Sequence, residues 1–163
     1  MSDETIRNLN EYAARHQLEL IESAGSGIHG IVYFVGGKTK LGTAAVKAHF
    51  GREPYLREVS VYERLRELNT TEIRGSEVPQ LLHGDDELRV LQITLVSPPW
   101  VLDFAGAWLD FPPRFSDEVW SEWERKNQEQ FGDDWPATQL ILDDLRDLGI
   151  HMLDPSPSNI RFR

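Results

Sequence analysis

The residues best suited to chemistry in this chain fall in three places. Gly25-Ser26-Gly27-Ile28-His29-Gly30-Ile31-Val32 reads G-x-G-x-x-G-x-V. Glycines at that spacing let a backbone turn approach a phosphate closely, because no Cβ stands in the way. Ala44-Ala45-Val46-Lys47 follows at the distance of one β-hairpin, so Lys47 could bring a positive charge to the same phosphates. Glu58 lies eleven residues beyond Lys47, on the next helix, where an ion pair would hold the ammonium group in place. In the third place, Asp154 and Asn159 stand five apart in a proline-stiffened loop. A carboxylate there could take the proton of an attacking hydroxyl, and an amide oxygen could hold a metal ion. Each place also has a plainer reading: a flexible hairpin tip, a solvated helix charge with Arg57, Glu63 and Arg64 as competitors, and side-chain turns in a loop rich in Pro and Ser.

The elements that must position these residues can be read from local patterns. Ile6, Leu9 and Ala13 give a helix over residues 3–17, capped by Asp3 or Thr5. From Leu18 the pattern changes to strands: Leu18–Ser23 into the glycine turn, then Gly30–Val35, a turn over 36–40, and a third strand over Thr43–Phe50. Gly51 breaks that strand, and Pro54 suits the first turn of a helix whose apolar side carries Leu56, Val59, Tyr62, Leu65 and Leu68. Pro79–Leu82 and Leu88–Val96 read as two more strands joined by the His83-Gly84-Asp85-Asp86 turn. Ser97-Pro98-Pro99 cannot continue a ladder and reads as a linker. The remainder reads as mostly helical: an apolar stretch over Val101–Leu109, a helix from Ser116 to Gly132, and one from Pro136 to Gly149. The expectation is a single α+β domain over 1–163. It has a five-stranded antiparallel half with one crossing helix over 1–96, a linker at 97–100 and a helical half over 101–163.

Composition narrows the function classes. The 163 residues are 40% hydrophobic and 10% aromatic, enough for a core. No apolar run approaches the roughly 18 residues of a membrane span, and acidic Met1–Thr5 lacks the hydrophobic run of a signal peptide. A cytoplasmic protein without a membrane partner is expected. The net charge of −10 opposes attraction to nucleic acid. The absence of cysteine removes thiolate chemistry, and the five histidines show no ligand spacing. Gly37-Lys38-Thr39 is not a P-loop ending, since Val32 stands where the upstream glycine belongs. His83-Gly84-Asp85 lacks the asparagine five residues on, where Val90 stands.

Taken in order, these features resemble protein kinases and their small-molecule kinase relatives. The match runs from the glycine-rich turn and the A-A-V-K strand through the L-R-E-V-S-V-Y-E-R-L helix and the hairpin with its linker to L-G-I-H-M-L-D-P-S-P-S-N-I, over about residues 18–163. The resemblance implies a minimal protein-kinase-like fold. It implies that Gly25, Gly27 and Gly30 cover the phosphates of ATP, that Val32 and Ala45 line the nucleotide pocket, and that Lys47 touches the phosphates while paired with Glu58. Thr94–Ser97, Val96 among them, would form the hinge that meets the adenine edge. Asp154 would be the catalytic base and Asn159 a magnesium ligand.

The departures shape the functional expectation. Met152 and Leu153 stand where the family's H-R-D has His and Arg, with His151 one place too early, and Ser156 replaces a common lysine. The family's D-F-G segment, whose aspartate is the main magnesium ligand, is expected a dozen or so residues after Asn159, past Arg163, the last residue of the sequence. Asp103, Asp110, Asp133 or Asp134 could replace it, and nothing in the sequence singles one out. The leading expectation is therefore a pseudokinase-like nucleotide-binding or interaction module that holds magnesium weakly and transfers little phosphate. The alternatives are an active miniature kinase with Asp154 as base, and a structural adaptor without nucleotide. The five tryptophans, all between Trp100 and Trp135, fall at helical spacing with other apolar residues and read mostly as core; any that the reduced helical half leaves exposed would mark a protein partner or homodimer surface.

Overall fold

Alternation along the strands explains the architecture. In the computed structural model, which describes residues 3–37 and 44–163, the third strand runs Ala44–His49 and all six residues are buried. A strand is buried on both faces only when both faces of its sheet are covered. Ala44, Val46 and Ala48 face one side and join Leu9 and Tyr12 of the first helix in one apolar cluster. Ala45, Lys47 and His49 face the other, where Ala45 joins the main core.

The elements in order are α1 (Asp3–Arg15), β1 (Leu18–Ser26), β2 (Gly30–Gly37), β3 (Ala44–His49), α2 (Arg52–Glu67), β4 (Glu72–Ile73), β5 (Ser76–Glu77), β6 (Leu81–Asp85) and β7 (Val90–Thr94). Then come β8 (Trp100–Val101), β9 (Trp108–Leu109), α3 (Asp117–Phe131), a 3-10 turn (Gly132–Asp134), α4 (Trp135–Asp147), β10 (Ile150–His151) and β11 (Ile160–Arg161). The chain is α+β, built on a five-stranded antiparallel sheet in the order β1-β2-β3-β7-β6. No described helix is long and apolar enough to cross a membrane.

The expected meander, crossing helix and helical pair are present, with several corrections. The turn expected over 36–40 and the start of the third strand fall largely outside the described residues. The β6–β7 turn lies later than expected, because Asp85 stays in the ladder and its side chain accepts from the backbone N–H of Glu87 and Leu88. Leu56 of α2 and Leu68, just beyond its end, are exposed rather than inward. Residues 101–109 belong to no helix. Their ends form β8 and β9, and β8 runs beside β5 and β11 while β9 pairs with β10. α3 starts where expected, with Ser116 Oγ accepting from Val119 N–H, and Trp135 is the one tryptophan that is buried.

Two short ladders bring distant loops together. β8 pairs antiparallel with β11, Ile160 opposite Val101, and β9 with β10, Ile150 opposite Leu109. Leu102 N–H donates to the Asn159 carbonyl at 2.9 Å, and Asp110 N–H to that of Gly149 at 2.7 Å. The loop 102–107 is thereby laid against the loop 152–159, although α3 and α4 separate them in sequence.

Candidate functional site

Lys47 sits on the central strand, so its ammonium emerges where water is scarce and must find anions. It finds two: Glu58 Oε2 at 2.8 Å, from the inner side of α2, and Asp103 Oδ1 at 2.6 Å, from the loop after β8. Glu58 is buried and also accepts from His49 Nε2 at 2.7 Å. Burial alone would raise the Glu58 carboxyl; the Lys47 charge and the His49 hydrogen bond outweigh it and bring it down to about 2. Burial likewise disfavours the Lys47 ammonium, but the charges of Glu58 and Asp103 win and raise it above the ordinary lysine range. The lysine is charged and anchored.

These groups stand at one wall of a cleft of about 310 Å³ between the sheet and the segment after β7, a size suited to a small molecule. Of the residues singled out in the sequence, Lys47, Glu58, Gly25, Val32 and Ala45 line it, as do Thr94 at the end of β7 and Val96 just beyond it. Ile93 and Leu102 add apolar surface. Gly25 sits at φ 150° beside a β-bulge, in backbone that favours glycine.

Gly27 and Gly30 do not line the cleft. Gly27 N–H closes the hairpin on the Gly30 carbonyl at 3.0 Å. Gly30 is required for packing, since a Cβ there would press into the Ala48 carbonyl of the neighbouring strand.

Asp154 and Asn159 lie on the adjoining loop rather than in the cleft wall. Asp154 Oδ1 is buried without a hydrogen-bond partner, and Oδ2 lies 3.5 Å from His29 Nε2 at the glycine tip. A Cβ on Gly106 would come within 2.6 Å of Oδ2, so the loop carrying Asp103 packs directly on this carboxylate. Burial, then the negative charge of Asp103, raises the Asp154 carboxyl above the usual range. Asn159 ties its own loop: its Nδ2 meets the Asp154 carbonyl at 3.4 Å and its backbone N–H the Ser156 carbonyl at 2.9 Å.

Asp103 is the residue the sequence did not single out from three other aspartates. Asp110 instead pairs with Arg64 away from the cleft. A signal was present: Asp103 is the one charged residue in the apolar run Val101–Leu109, and a charge carried inwards by such a run must find a partner. His49 was missed too, though strand alternation puts it on the same side as Lys47. Chemically, the arrangement offers a fixed cation for phosphate, carboxylate and amide oxygens on neighbouring loops for a hard cation, and a raised carboxyl to receive a proton. Among the described residues no three of His, Cys, Asp or Glu converge to hold a metal alone. Magnesium carried by a nucleotide needs only one or two carboxylates besides the phosphates, and Asp103 is a carboxylate that lines the cleft. No family model, curated protein or solved structure matches the chain.

Proposed function

We propose that this chain is a protein-kinase-like, ATP-dependent phosphotransferase whose cation-binding aspartate, Asp103, comes before the catalytic loop in the sequence instead of after it. The observation that carries the reading is the Lys47 ammonium held between Glu58 and Asp103 at the wall of an apolar cleft. Val32, Ala45, Ile93 and Leu102 suit a purine, and the backbone over Thr94–Val96 its polar edge. Lys47 would meet the phosphates. Asp103 and Asn159 are the residues to hold magnesium, which when bound neutralises charge on the transferring phosphates. Asp154, with its raised carboxyl and unpartnered Oδ1, would take the proton of an acceptor hydroxyl as that oxygen bonds to the terminal phosphorus and the bond from that phosphorus to the bridging oxygen breaks, releasing ADP.

A second reading keeps the nucleotide and drops the transfer. It is favoured by Met152, Leu153 and Ser156 around Asp154, which stand where the family resemblance leads one to expect His, Arg and Lys. Exposed Phe111, Phe115 and Trp108 would then serve a protein partner or a second copy. One pair of measurements separates the readings. ATP is titrated calorimetrically with and without magnesium, and labelled phosphate release or transfer is followed in wild type, Asp103→Asn and Asp154→Asn. Magnesium-dependent binding that Asp103→Asn abolishes, with turnover lost in Asp154→Asn, is the expected result. Binding without turnover in wild type selects the second reading, and no binding at millimolar ATP defeats both.

A further inference from the structure

We infer that His49 is a positioning residue that locks Glu58, and through it α2 and Lys47, in the nucleotide-ready arrangement before any nucleotide arrives. This rests on the reading of the cleft as a nucleotide site.

One carboxylate oxygen carries the argument. Glu58 Oε2 receives both Lys47, at 2.8 Å, and His49 Nε2, at 2.7 Å. Since a carboxylate only accepts, His49 presents Nε2–H to it. The other ring nitrogen faces the Arg89 carbonyl at 3.3 Å, and the ring meets Tyr55 of α2 edge-on with centroids 5.5 Å apart. His49 has no exposed surface, so water cannot replace any of these partners.

Lys47 and His49 are two apart on one strand and therefore on one face. Together they grip a single residue of α2 from the sheet. The grip matters when phosphate enters. Lys47 must then share its protons with the nucleotide, and Asp103 would turn to the cation. A Glu58 held by Lys47 alone would lose much of its only compensation while remaining buried, and its carboxylate would pull towards water against the packing of Tyr55, Val61, Tyr62 and Leu65 that holds α2. With His49 in place the carboxylate keeps a charge-assisted partner throughout. The helix stays in, and the lysine keeps its reference point. α2 is thus a fixed wall of this cleft and not a switch.

The test uses the full chain with three substitutions at one position. His49→Phe keeps a ring against Tyr55 but removes the donor. His49→Gln restores an N–H that can reach Glu58. His49→Asn is polar but too short, and answers the question if the phenyl variant does not fold. The first readout needs no nucleotide: the rate of reductive methylation of the Lys47 amine, followed by mass spectrometry on protein shown to be folded by circular dichroism. Loss of the clamp should speed labelling about tenfold in His49→Phe and His49→Asn, and His49→Gln should stay within about twofold of wild type. The second readout is ATP affinity, expected to fall about tenfold in the first two variants and to recover in the third.

Folded His49→Phe or His49→Asn protein that labels and binds like wild type overturns the inference, as does His49→Gln failing to rescue. If wild type binds no ATP, the nucleotide reading fails instead, and the labelling rates still decide whether His49 holds Glu58.

Discussion

Glu58→Gln isolates the electrostatics of the cleft, because it keeps the shape of the side chain and removes its charge. In the folded chain the carboxyl is brought from 4.5 to about 2 by Lys47 and His49, against the opposing effect of burial. At about 1.4 kcal/mol for each tenfold change in acid strength, this is worth roughly 3 kcal/mol of folding stability. The sign comes from the direction of the shift. A carboxyl depressed on folding stabilises fully above its unfolded value of 4.5, and the contribution drains away as pH falls towards about 2. Glu58 is buried, so solvent does not discount the figure. Urea unfolding followed by tryptophan fluorescence at several pH values measures it. Wild type should exceed Glu58→Gln by about 3 kcal/mol near neutrality, and the gap should shrink steadily below about pH 4.5. Other carboxylates titrate in both proteins and cancel in the difference. A gap that is the same near pH 3 as near pH 7 would refute the claim that paired charge, rather than shape, holds this residue.

Two further substitutions test the packing around the site. Gly30→Ala should destabilise the chain by roughly 1–3 kcal/mol through its clash with the Ala48 carbonyl, read as a lowered urea midpoint; an unchanged midpoint would mean that β2 and β3 are not so closely apposed. Gly106→Ala should push Asp154 aside, at a similar cost of about 1–3 kcal/mol, and should reduce any phosphate transfer far more than it reduces ATP affinity. Equal losses in both would place Gly106 in the nucleotide cleft instead.

Much of this was legible in the residues. The G-x-G-x-x-G turn, the strand bearing Lys47 and the helix bearing Glu58 are local patterns several residues long, and side-chain periodicity exposes such patterns. Asp103 was hidden for a physical reason. It is placed by β8, β9, β10 and β11, each two residues long, and two residues have no period to detect. Their partners are distant in sequence, so only the fold brings the loops together. An apolar run such as Val101–Leu109 is equally compatible with a short helix until its pairing is known. Gly30 shows the converse error: a glycine in a phosphate-binding pattern is spent here on the approach of two strands.

The two short ladders that join β8 to β11 and β9 to β10 close the chain on itself at the foot of α3 and α4. Helices α3 and α4 form an excursion whose departure and return are stitched side by side, so its length is uncoupled from the spacing between Asp103 and Asp154. Phe131, Trp135, Ile141, Leu142 and Leu145 of the excursion lie in the main core, and Trp123 and Gln130 donate to the carbonyls of Leu153 and Pro155, so its inner side is fixed by the loop it supports. Its outward side can therefore change in sequence or gain residues while the loops bearing Asp103 and Asp154 stay in register.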